Sequence, residues 1–369
     1  MKKISFIIPS FEVGGIESSF INAANFLKGG EFEPELVYWF EGGKLKKQID
    51  PDVIITKLKV SNLFSLLIKL ICHYNKSRPD IIQTSMYMIG NIAMIARIFS
   101  FHKPKIIIGA RSDFDSICNA SKNLIDEFIL RKLSSIFFRK ADKIVAISEG
   151  VKNGLIKSLK IEESKIKVIY NGAITKKNRE KKFVTPKHGW FGLQNICLVC
   201  SIGRLSPEKG IYELVCAFRR AHKLNGNLRL IIIGEGDEDT RIKKYLNTHS
   251  MNEYVEMIGF RENYYSYLDS SDIYVLNSYY EGMSNILAEA LTTDTKIIST
   301  NCKHGPIELL KGVKESKLID VNNESQLVNA LYDFSKTKKI RRESIPHLKN
   351  FYFDESMKKY IKLYTELIS

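Results

Sequence analysis

The sequence lacks any long uninterrupted run of apolar residues. Its two most apolar stretches, residues 63–72 and 86–101, are broken by charged side chains such as Lys69 and Arg97. A helix that spans a bilayer needs roughly 18–20 consecutive apolar residues, which neither stretch provides. The apolar run at residues 4–8 is too short for a secretory signal peptide and is interpreted as a buried strand. We therefore expect no transmembrane segment.

The sequence also has few cysteines, and its acidic residues are outnumbered by basic ones. The six cysteines are scattered through apolar segments of a 369-residue chain, which favours reduced thiols in an intracellular protein over a disulfide framework. The formal net charge is +15. Almost all of this excess lies in residues 1–190, which contain 32 basic and 18 acidic residues, against 24 and 23 in the remainder. The asymmetry predicts an anionic partner for the first half, either a nucleic acid or an anionic membrane surface.

The sequence does contain two series of short Ile- and Val-rich runs that alternate with amphipathic segments. Such alternation is typical of parallel sheets with crossover helices. We interpret residues 1–175 as one doubly wound α/β domain, the basic run 176–190 as a linker, and residues 191–353 as a second α/β domain. The last segment, residues 354–369, has the apolar pattern of a helix.

Particular elements follow from this pattern. The predicted strands are residues 4–8, 36–39, 81–83, 106–108, 143–147 and 167–169, then 196–201, 229–233, 255–257, 273–276 and 296–298. The predicted helices are residues 15–27, 63–76, 88–99 and 124–138, then 212–222, 240–249, 284–291 and 324–334.

Three polar segments follow predicted strands of the second domain. They are residues 203–210 (GRLSPEKG), 234–236 (GEG) and 281–289 (EGMSNILAE), after its first, second and fourth strands. The carboxyl ends of parallel strands meet at one edge of a sheet, where open α/β sheets bind ligands. Each segment alone is also compatible with a solvated loop or a tight turn, but their order along the chain predicts one shared site.

The first segment contains two cations suited to a diphosphate. Ser206 is placed to cap a helix whose first position is Pro207. Arg204 and Lys209 would then flank a helix start, and both could face one anion.

The third segment combines backbone donors with two carboxylates. Small and polar residues open its helix, so the amides of residues 283–286 can donate to phosphate oxygens. Glu281 precedes the helix, and Glu289 lies off its apolar stripe. Each alone would most often be a surface carboxylate, but placed together they can accept hydrogen bonds from sugar hydroxyls.

In this order, the three segments resemble those of the retaining nucleotide-sugar glycosyltransferases of family 4. The resemblance extends to IIPSFEVGGIE at 7–17, RPDIIQT at 78–84, ADKIVAISEG at 141–150 and IYNG at 169–172. It implies the GT-B arrangement of two Rossmann-like, doubly wound α/β domains that face each other across a cleft. The first would bind the acceptor and the second the nucleotide-sugar donor, with residues 354–369 crossing back to the first.

The resemblance also implies roles for single residues. Arg204 and Lys209 would neutralise the donor diphosphate and Glu281 would hold the donor sugar, and these three form the expected catalytic set. Glu289 would bind the ribose. Further donor-binding positions are implied at Gly15, Gly236, Gly259, Phe260, Gly282, Met283, Ser284, Asn285 and Ile286. No metal ion and no other cofactor is implied, because the nucleotide sugar is itself a substrate.

Candidates for contacts with the acceptor or the donor sugar lie in the first domain. They are Gly14, Glu17, Arg111, Ser112 and Asp113. Many relatives have a His-Asp pair after the central strand, and Ser112 stands where the histidine often does. In the mechanism proposed for the family, a donor phosphate oxygen takes the proton of the attacking hydroxyl. The protein then supplies orientation and charge stabilisation.

The function implied is the transfer of a hexose or N-acetylhexosamine to a lipid-linked glycan in bacterial O-antigen or capsule synthesis. Residues 300–310 resemble a segment of enzymes that use UDP sugars, and depart from it at Asn301 and Lys303. The basic first domain would hold the enzyme, in the cytoplasm, on the inner face of the plasma membrane through anionic lipids.

Two other functions stay open at this point. A non-hydrolysing sugar-nucleotide 2-epimerase shares the architecture, although the Glu281 and Glu289 pattern argues against it. A nucleic-acid-binding protein would use the basic half, but no helix-turn-helix, zinc finger or RNA-binding aromatic signature accompanies the charge.

Two motifs have the spacing of metal sites. Cys197 and Cys200 lie in an apolar strand without a second pair, which favours a structural core over zinc. The D-x-D patterns at residues 113–115 and 237–239 provide few oxygen ligands for a hard cation.

Overall fold

The chain is described by a computed structural model that covers residues 1–12, 14–119, 123–180, 186, 188–338 and 341–369. It divides into two compact units. The first consists of Met1–Gly172 and Asp354–Ser369, and the second of Ala173–Phe353. Among the described residues, no helix has the length and apolar character needed to cross a membrane.

The first unit contains a seven-stranded parallel sheet. Its strands are β1 (Lys2–Ile7), β2 (Phe32–Tyr38), β3 (Ile54–Lys57), β4 (Ile81–Thr84), β5 (Lys105–Ala110), β6 (Lys143–Ala146) and β7 (Ile166–Val168). They are ordered β3-β2-β1-β4-β5-β6-β7, so the direction of winding reverses between β1 and β4. The central strands are buried along nearly their whole length, which explains their continuous runs of isoleucine and valine.

Helices connect these strands. They are α1 (Gly15–Leu27), α2 (Leu63–Ser77), α3 (Tyr87–Phe99), α4 (Phe114–Asn119), α5 (Leu124–Lys140) and α6 (Glu149–Leu159). Local signals fix several of their ends. In α2, the Asn62 side chain accepts from the Ser65 amide while the Ser65 hydroxyl accepts from the Asn62 amide, which is a capping box.

The second unit contains a six-stranded parallel sheet. Its strands are β8 (Cys197–Ile202), β9 (Leu228–Ile233), β10 (Val255–Met257), β11 (Ile273–Leu276), β12 (Lys296–Thr300) and β13 (Ser316–Ile319). They are ordered β10-β9-β8-β11-β12-β13, with a reversal between β8 and β11. The later helices are α7 (Lys176–Glu180), α8 (Ile211–Leu224), α9 (Asp239–Thr248), α10 (Tyr264–Ser270), α11 (Asn285–Ala290), α12 (Pro306–Leu309), α13 (Glu324–Ser335) and α14 (Phe353–Ile368).

Helix α14 belongs to the first unit, as the sequence predicts. The Tyr364 ring packs edge-on against Phe32, with centroids 5.7 Å apart, and its hydroxyl donates to Gln83 of β4. The Ser356 hydroxyl donates to the Tyr170 carbonyl at 2.8 Å. These contacts attach the end of the chain to the first sheet.

Two Rossmann-like α/β units are therefore confirmed, and every predicted strand is found with its ends shifted by a few residues at most. The described residues of the expected linker, 176–180, 186 and 188–190, fall within the second unit. The first residues of this linker form α7, and the Tyr265 hydroxyl donates to the Asn178 carbonyl at 3.2 Å. Residues 181–185 and 187 of that expected linker lie outside the described part of the chain.

Candidate active site

The three polar segments lie at the carboxyl edge of the second sheet. They follow β8, β9 and β11, which are neighbours in the order β9-β8-β11. The winding reverses between β8 and β11, and the connections leave in opposite directions there. Such a switch point opens a crevice in a doubly wound sheet.

Glycines allow the first two segments to approach each other closely. Gly234 has a φ of +148°, and a Cβ there would lie 1.8 Å from the Gly203 carbonyl oxygen. A Cβ on Gly236 would lie 2.3 Å from the Leu205 oxygen. The Leu205 amide donates to the Glu235 carbonyl at 3.0 Å. The GEG turn thus fixes the backbone of residues 203–205.

The expected cap by Ser206 is wrong. Its side chain makes no cap hydrogen bond, and its hydroxyl donates instead to Glu208 Oε1 at 2.6 Å. The Lys209 amide, from which a capping side chain would accept, donates instead to the Ser206 carbonyl oxygen at 2.9 Å. Residues 207–209 form a single 3₁₀ turn, and α8 begins only after Gly210, which has a φ of +59°. Arg204 is exposed on this loop.

Lys209 and Glu281 form an ion pair at the switch point. Lys209 Nζ lies 2.6 Å from Glu281 Oε1, and the Ser278 hydroxyl donates to the same oxygen at 2.7 Å. The Glu281 side chain is only 9% exposed. Burial of a carboxylate is unfavourable without such partners, so the cation and the hydroxyl stabilise it there. The pair places a positive and a negative group side by side.

Backbone contacts connect the loops that contain this pair. The Tyr279 amide donates to the Glu208 carbonyl at 2.9 Å, and Asn277 Nδ2 donates to the Gly210 carbonyl at 2.8 Å. These bonds join the loop after β8 to the loop after β11. The geometry of the ion pair is therefore set by the loop backbones.

The start of α11 agrees with the predicted helix. The Ser284 side chain accepts from the Leu287 amide at 3.3 Å, as an N-cap does. Met283 and Ser284 are buried. The backbone of the next loop supports this segment, because a Cβ on Gly305 would lie 3.1 Å from Met283 Cα. Residues of the 300–310 segment therefore border the candidate site.

Glu289 is a buried carboxylate that points at a tyrosine. It is 6% exposed, and the Tyr264 hydroxyl lies 3.0 and 2.9 Å from its two oxygens. Burial raises the pKa of Glu289 to about 8, while the hydrogen bond from Tyr264 lowers it. Burial and the carboxylate together raise the pKa of Tyr264 well above its usual value. Tyr264 begins α10, and no motif marked it in the sequence.

We expect Tyr264→Phe to destabilise the second unit by about 1–3 kcal/mol, because the buried Glu289 carboxyl loses its donor. The pKa of Glu289 should also rise further. Denaturant unfolding measures the first effect. The matched control is Tyr332→Phe. The Tyr332 ring is partly exposed, and Lys336 Nζ lies 3.7 Å from its centre. Equal stability of Tyr264→Phe and wild type would contradict the expectation.

Arg111 connects three elements of the first unit. Its Nη1 donates to Asn171 Oδ1 at 2.6 Å and to the Ser19 hydroxyl at 3.2 Å, and Nη2 also donates to Ser19 at 3.2 Å. The guanidinium carbon lies 5.4 Å from the centre of the Phe20 ring. Arg111 thus joins the ends of β5 and β7 to α1 at the carboxyl edge of the first sheet.

The other first-unit candidates have local partners. Asp113 is buried, and its Oδ2 accepts from both the amide and the hydroxyl of Ser116 at 2.9 and 2.8 Å, which caps α4. The Ser112 carbonyl accepts from the Tyr87 hydroxyl at 2.6 Å. A Cβ on Gly14 would lie 2.2 Å from Glu17 Oε2, so this carboxylate folds back over the start of α1.

The structure shows the surroundings of several residues in the segments with metal-site spacing. Cys197 and Cys200 are buried in β8, and burial raises the pKa of the Cys197 thiol to about 12. In the 237–239 segment, Glu238 pairs with Arg241 at 2.6 Å and Asp239 pairs with Lys243 at 2.7 Å. The cysteines thus pack in the core, and two of these carboxylates are neutralised by nearby cations.

Two family models match the chain, one in each half. The family described as Glycosyltransferase Family 4 matches residues 13–177, and the one described as Glycosyl transferases group 1 matches residues 190–350. Together they span both units.

Curated relatives extend the likeness. The chain is 30% identical over 258 residues to N-acetylgalactosamine-N,N'-diacetylbacillosaminyl-diphospho-undecaprenol 4-alpha-N-acetylgalactosaminyltransferase of Campylobacter jejuni, covering 68% of this chain and 66% of the relative. It is 24% identical over 340 residues to UDP-Gal:alpha-D-GlcNAc-diphosphoundecaprenol alpha-1,3-galactosyltransferase of Escherichia coli, covering 86% of this chain and 84% of the relative.

Among solved structures, a glycosyltransferase from Rickettsia africae is similar in fold, with a TM-score of 0.77 and 21% identity. The match covers 100% of this chain and 99% of the Rickettsia chain.

Proposed function

Since the chain belongs to the family-4 glycosyltransferases, we propose that it is a retaining enzyme that transfers a hexose or N-acetylhexosamine from a UDP sugar. The acceptor is a hydroxyl of a lipid-linked glycan in bacterial surface-polysaccharide synthesis. The observation that supports this most is the Lys209–Glu281 pair, 2.6 Å apart at the switch point of the second sheet. It places a cation for a diphosphate beside a carboxylate for sugar hydroxyls.

The proposed chemistry divides these groups between two parts of the donor. Lys209 and the exposed Arg204 neutralise the diphosphate, on which charge grows as the glycosidic bond breaks. Glu281 accepts from hydroxyls of the sugar and Glu289 from those of the ribose. The donor's own phosphate oxygen takes the proton of the attacking hydroxyl on the same face, so the protein supplies orientation and no strong base. The reaction is proposed to need no metal ion.

The substrate classes come from two sources. Both curated relatives have names that specify a diphospho-undecaprenol acceptor, and the Escherichia coli relative's name specifies a UDP sugar. Their names specify transfer of N-acetylgalactosamine or galactose. The 300–310 segment, which resembles that of UDP-sugar enzymes, borders the site through Gly305. A lipid-linked acceptor also implies that the enzyme works at the cytoplasmic face of the plasma membrane.

Calorimetric titration with UDP, GDP and ADP tests the donor assignment. We expect UDP to bind more tightly than the other two, and Glu289→Ala to weaken UDP binding by roughly 10–100-fold, because the ribose hydroxyls lose the carboxyl group that accepts from them. The control is Glu253→Ala, which removes an exposed carboxylate of the same unit. Absence of binding by all three nucleotides would refute the proposed function. Unchanged affinity in Glu289→Ala would refute the role of Glu289 alone.

A further inference from the structure

Tyr280 lies directly before Glu281, in the loop that follows β11 at the switch point of the second sheet. Its side chain is partly buried. Among the described residues, its hydroxyl has no hydrogen-bond partner. A tyrosine hydroxyl that is partly withdrawn from water usually has a partner, so this exception calls for an explanation.

Nearby tyrosines of the second unit differ from Tyr280. The Tyr264 hydroxyl already donates to Glu289. The Tyr274 hydroxyl also lacks a partner among the described residues, but its side chain is fully buried in β11, where no ligand can reach it. The Tyr280 hydroxyl is both unpartnered and only partly enclosed, so it remains available to a ligand.

The backbone around Tyr280 is held by the loops on either side. The amide of the preceding residue, Tyr279, donates to the Glu208 carbonyl at 2.9 Å. Tyr280 itself pairs with Lys303, in the loop after β12, through an isolated parallel β-bridge. Tyr280 therefore lies between the loop after β8 and the loop after β12, and its position is set by both.

Two cations and two carboxylates act on the Tyr280 hydroxyl. Burial, Glu208 and Glu281 raise its pKa, whereas Lys209 and Arg204 lower it, and the net result is a raised pKa. The phenol therefore keeps its proton at neutral pH and can donate it in a hydrogen bond. Lys209 and Arg204 are the cations to which the proposed function assigns the diphosphate.

We propose that the Tyr280 hydroxyl donates a hydrogen bond to the β-phosphate of the nucleotide-sugar donor, as a third group beside Arg204 and Lys209. This inference rests on the proposed function. Glu281, the next residue, is assigned there to the sugar. Tyr280 thus belongs at the sugar end of the diphosphate, which is the β-phosphate.

The contact acts on the group that leaves. In the transfer, the bond between the anomeric carbon and the β-phosphate oxygen breaks, and its electron pair stays on that oxygen. The oxygen of the acceptor hydroxyl forms the new bond to the anomeric carbon, and its proton passes to a phosphate oxygen of the donor, which leaves as UDP. Tyr280 keeps its own proton throughout. Because negative charge on the β-phosphate grows as the bond breaks, a positioned donor stabilises the transition state more than the ground state.

Calorimetric titration of the full chain with UDP and with UMP tests this contact. UMP lacks the β-phosphate, so the ratio of the two Kd values measures what that phosphate contributes to binding. We expect Tyr280→Phe to weaken UDP binding by about tenfold and to leave UMP binding unchanged. Its midpoint of urea unfolding should equal that of wild type, because the hydroxyl has no partner among the described residues.

Two further variants calibrate the measurement. Arg204→Met removes an exposed cation of the same site and should also weaken UDP binding more than UMP binding. Tyr332→Phe removes the hydroxyl of a partly exposed tyrosine in α13 and should bind both nucleotides as wild type does.

The inference is overturned if Tyr280→Phe binds UDP as tightly as wild type. It is also overturned if UDP and UMP binding weaken by the same factor, which would indicate a structural role. A preference for UDP that is lost in Arg204→Met but kept in Tyr280→Phe refutes the role of Tyr280 alone. Equal affinity of wild type for UDP and UMP refutes a β-phosphate contact by either residue. Wild type that binds neither nucleotide refutes the proposed function, and this contact with it.

Discussion

Sugar transfer is expected to fall by roughly 10²–10³-fold in kcat when Lys209 is replaced by methionine. The lysine lies at the switch point of the second sheet, and in the proposed reaction it faces the diphosphate as that group leaves. Methionine keeps the length of the side chain and removes its charge. The loss should therefore appear in kcat more than in the KM for the donor, because the charge on the diphosphate grows in the transition state.

The ion pair complicates a single substitution at this position. Without Lys209, the Ser278 hydroxyl is the one partner that Oε1 of the buried Glu281 carboxylate retains among the described residues. Breaking a buried pair destabilises a protein by about 3–5 kcal/mol, and the low end applies here because the Lys209 side chain is 27% exposed. The double variant Lys209→Met and Glu281→Gln removes both charges. It should recover most of the stability and none of the activity.

The measurement is product formation from a UDP sugar and a diphospho-undecaprenol-linked acceptor, together with denaturant unfolding. Lys243→Met is the matched control, since Lys243 pairs with Asp239 at 2.7 Å at the surface of the same unit. Wild-type kcat in the double variant would show that neither charge takes part in the reaction.

The sequence predicts the central elements of both sheets because burial on two faces leaves continuous apolar runs. Helix α1 is predicted with the bounds that the structure has, Gly15–Leu27. The edge strands β3 and β13 were missed. Each has only four residues. In β3, Ile54 and Ile55 are exposed, so the strand has no buried face that would produce a regular apolar pattern in the sequence. In α6 only Val151, Leu155 and Leu159 are buried, a stripe too narrow to mark a helix.

The candidate site was predictable as a set of loops but not as a set of contacts. Strand order places the three segments at one edge, and this much follows from topology alone. The partner of Glu281 lies 72 positions earlier in the chain, and no local pattern connects them. Tyr264 was missed for the same reason, since its contact with Glu289 spans 25 positions. The error at Ser206 has a local cause, the 3₁₀ turn in which the Lys209 amide donates to the Ser206 carbonyl oxygen.

The burial of Glu289 leads to a prediction about stability and pH. In an unfolded chain this carboxyl has a pKa near 4.5, whereas burial raises its pKa in the folded protein to about 8. Between these values the unfolded chain has lost the proton and the folded chain keeps it. The free energy of unfolding therefore falls as the pH rises through this window. Below pH 4.5 both states are protonated, and the carboxyl adds no penalty.

Glu289→Gln cannot ionise and still accepts from Tyr264. We expect its free energy of unfolding to equal that of wild type at pH 4.5 and to be several kcal/mol larger at pH 8. The difference should grow by on the order of 1.4 kcal/mol per pH unit across the window. Urea unfolding measures the difference. In a Trp39→Phe background, Trp190 is the one remaining tryptophan and reports on the second unit. Glu253→Gln, at an exposed position, should show no such trend.

This account of the buried carboxyl would be contradicted by either of two results. The difference in free energy of unfolding between Glu289→Gln and wild type could stay constant with pH, or it could grow as the pH falls. The same titration connects Glu289 to the proposed donor. Ribose hydroxyls that donate to the ionised carboxylate favour the charged form, so bound UDP should lower its pKa. Saturating UDP should then flatten the pH dependence of wild-type stability. It should leave that of Glu289→Gln unchanged, because glutamine has no proton to release.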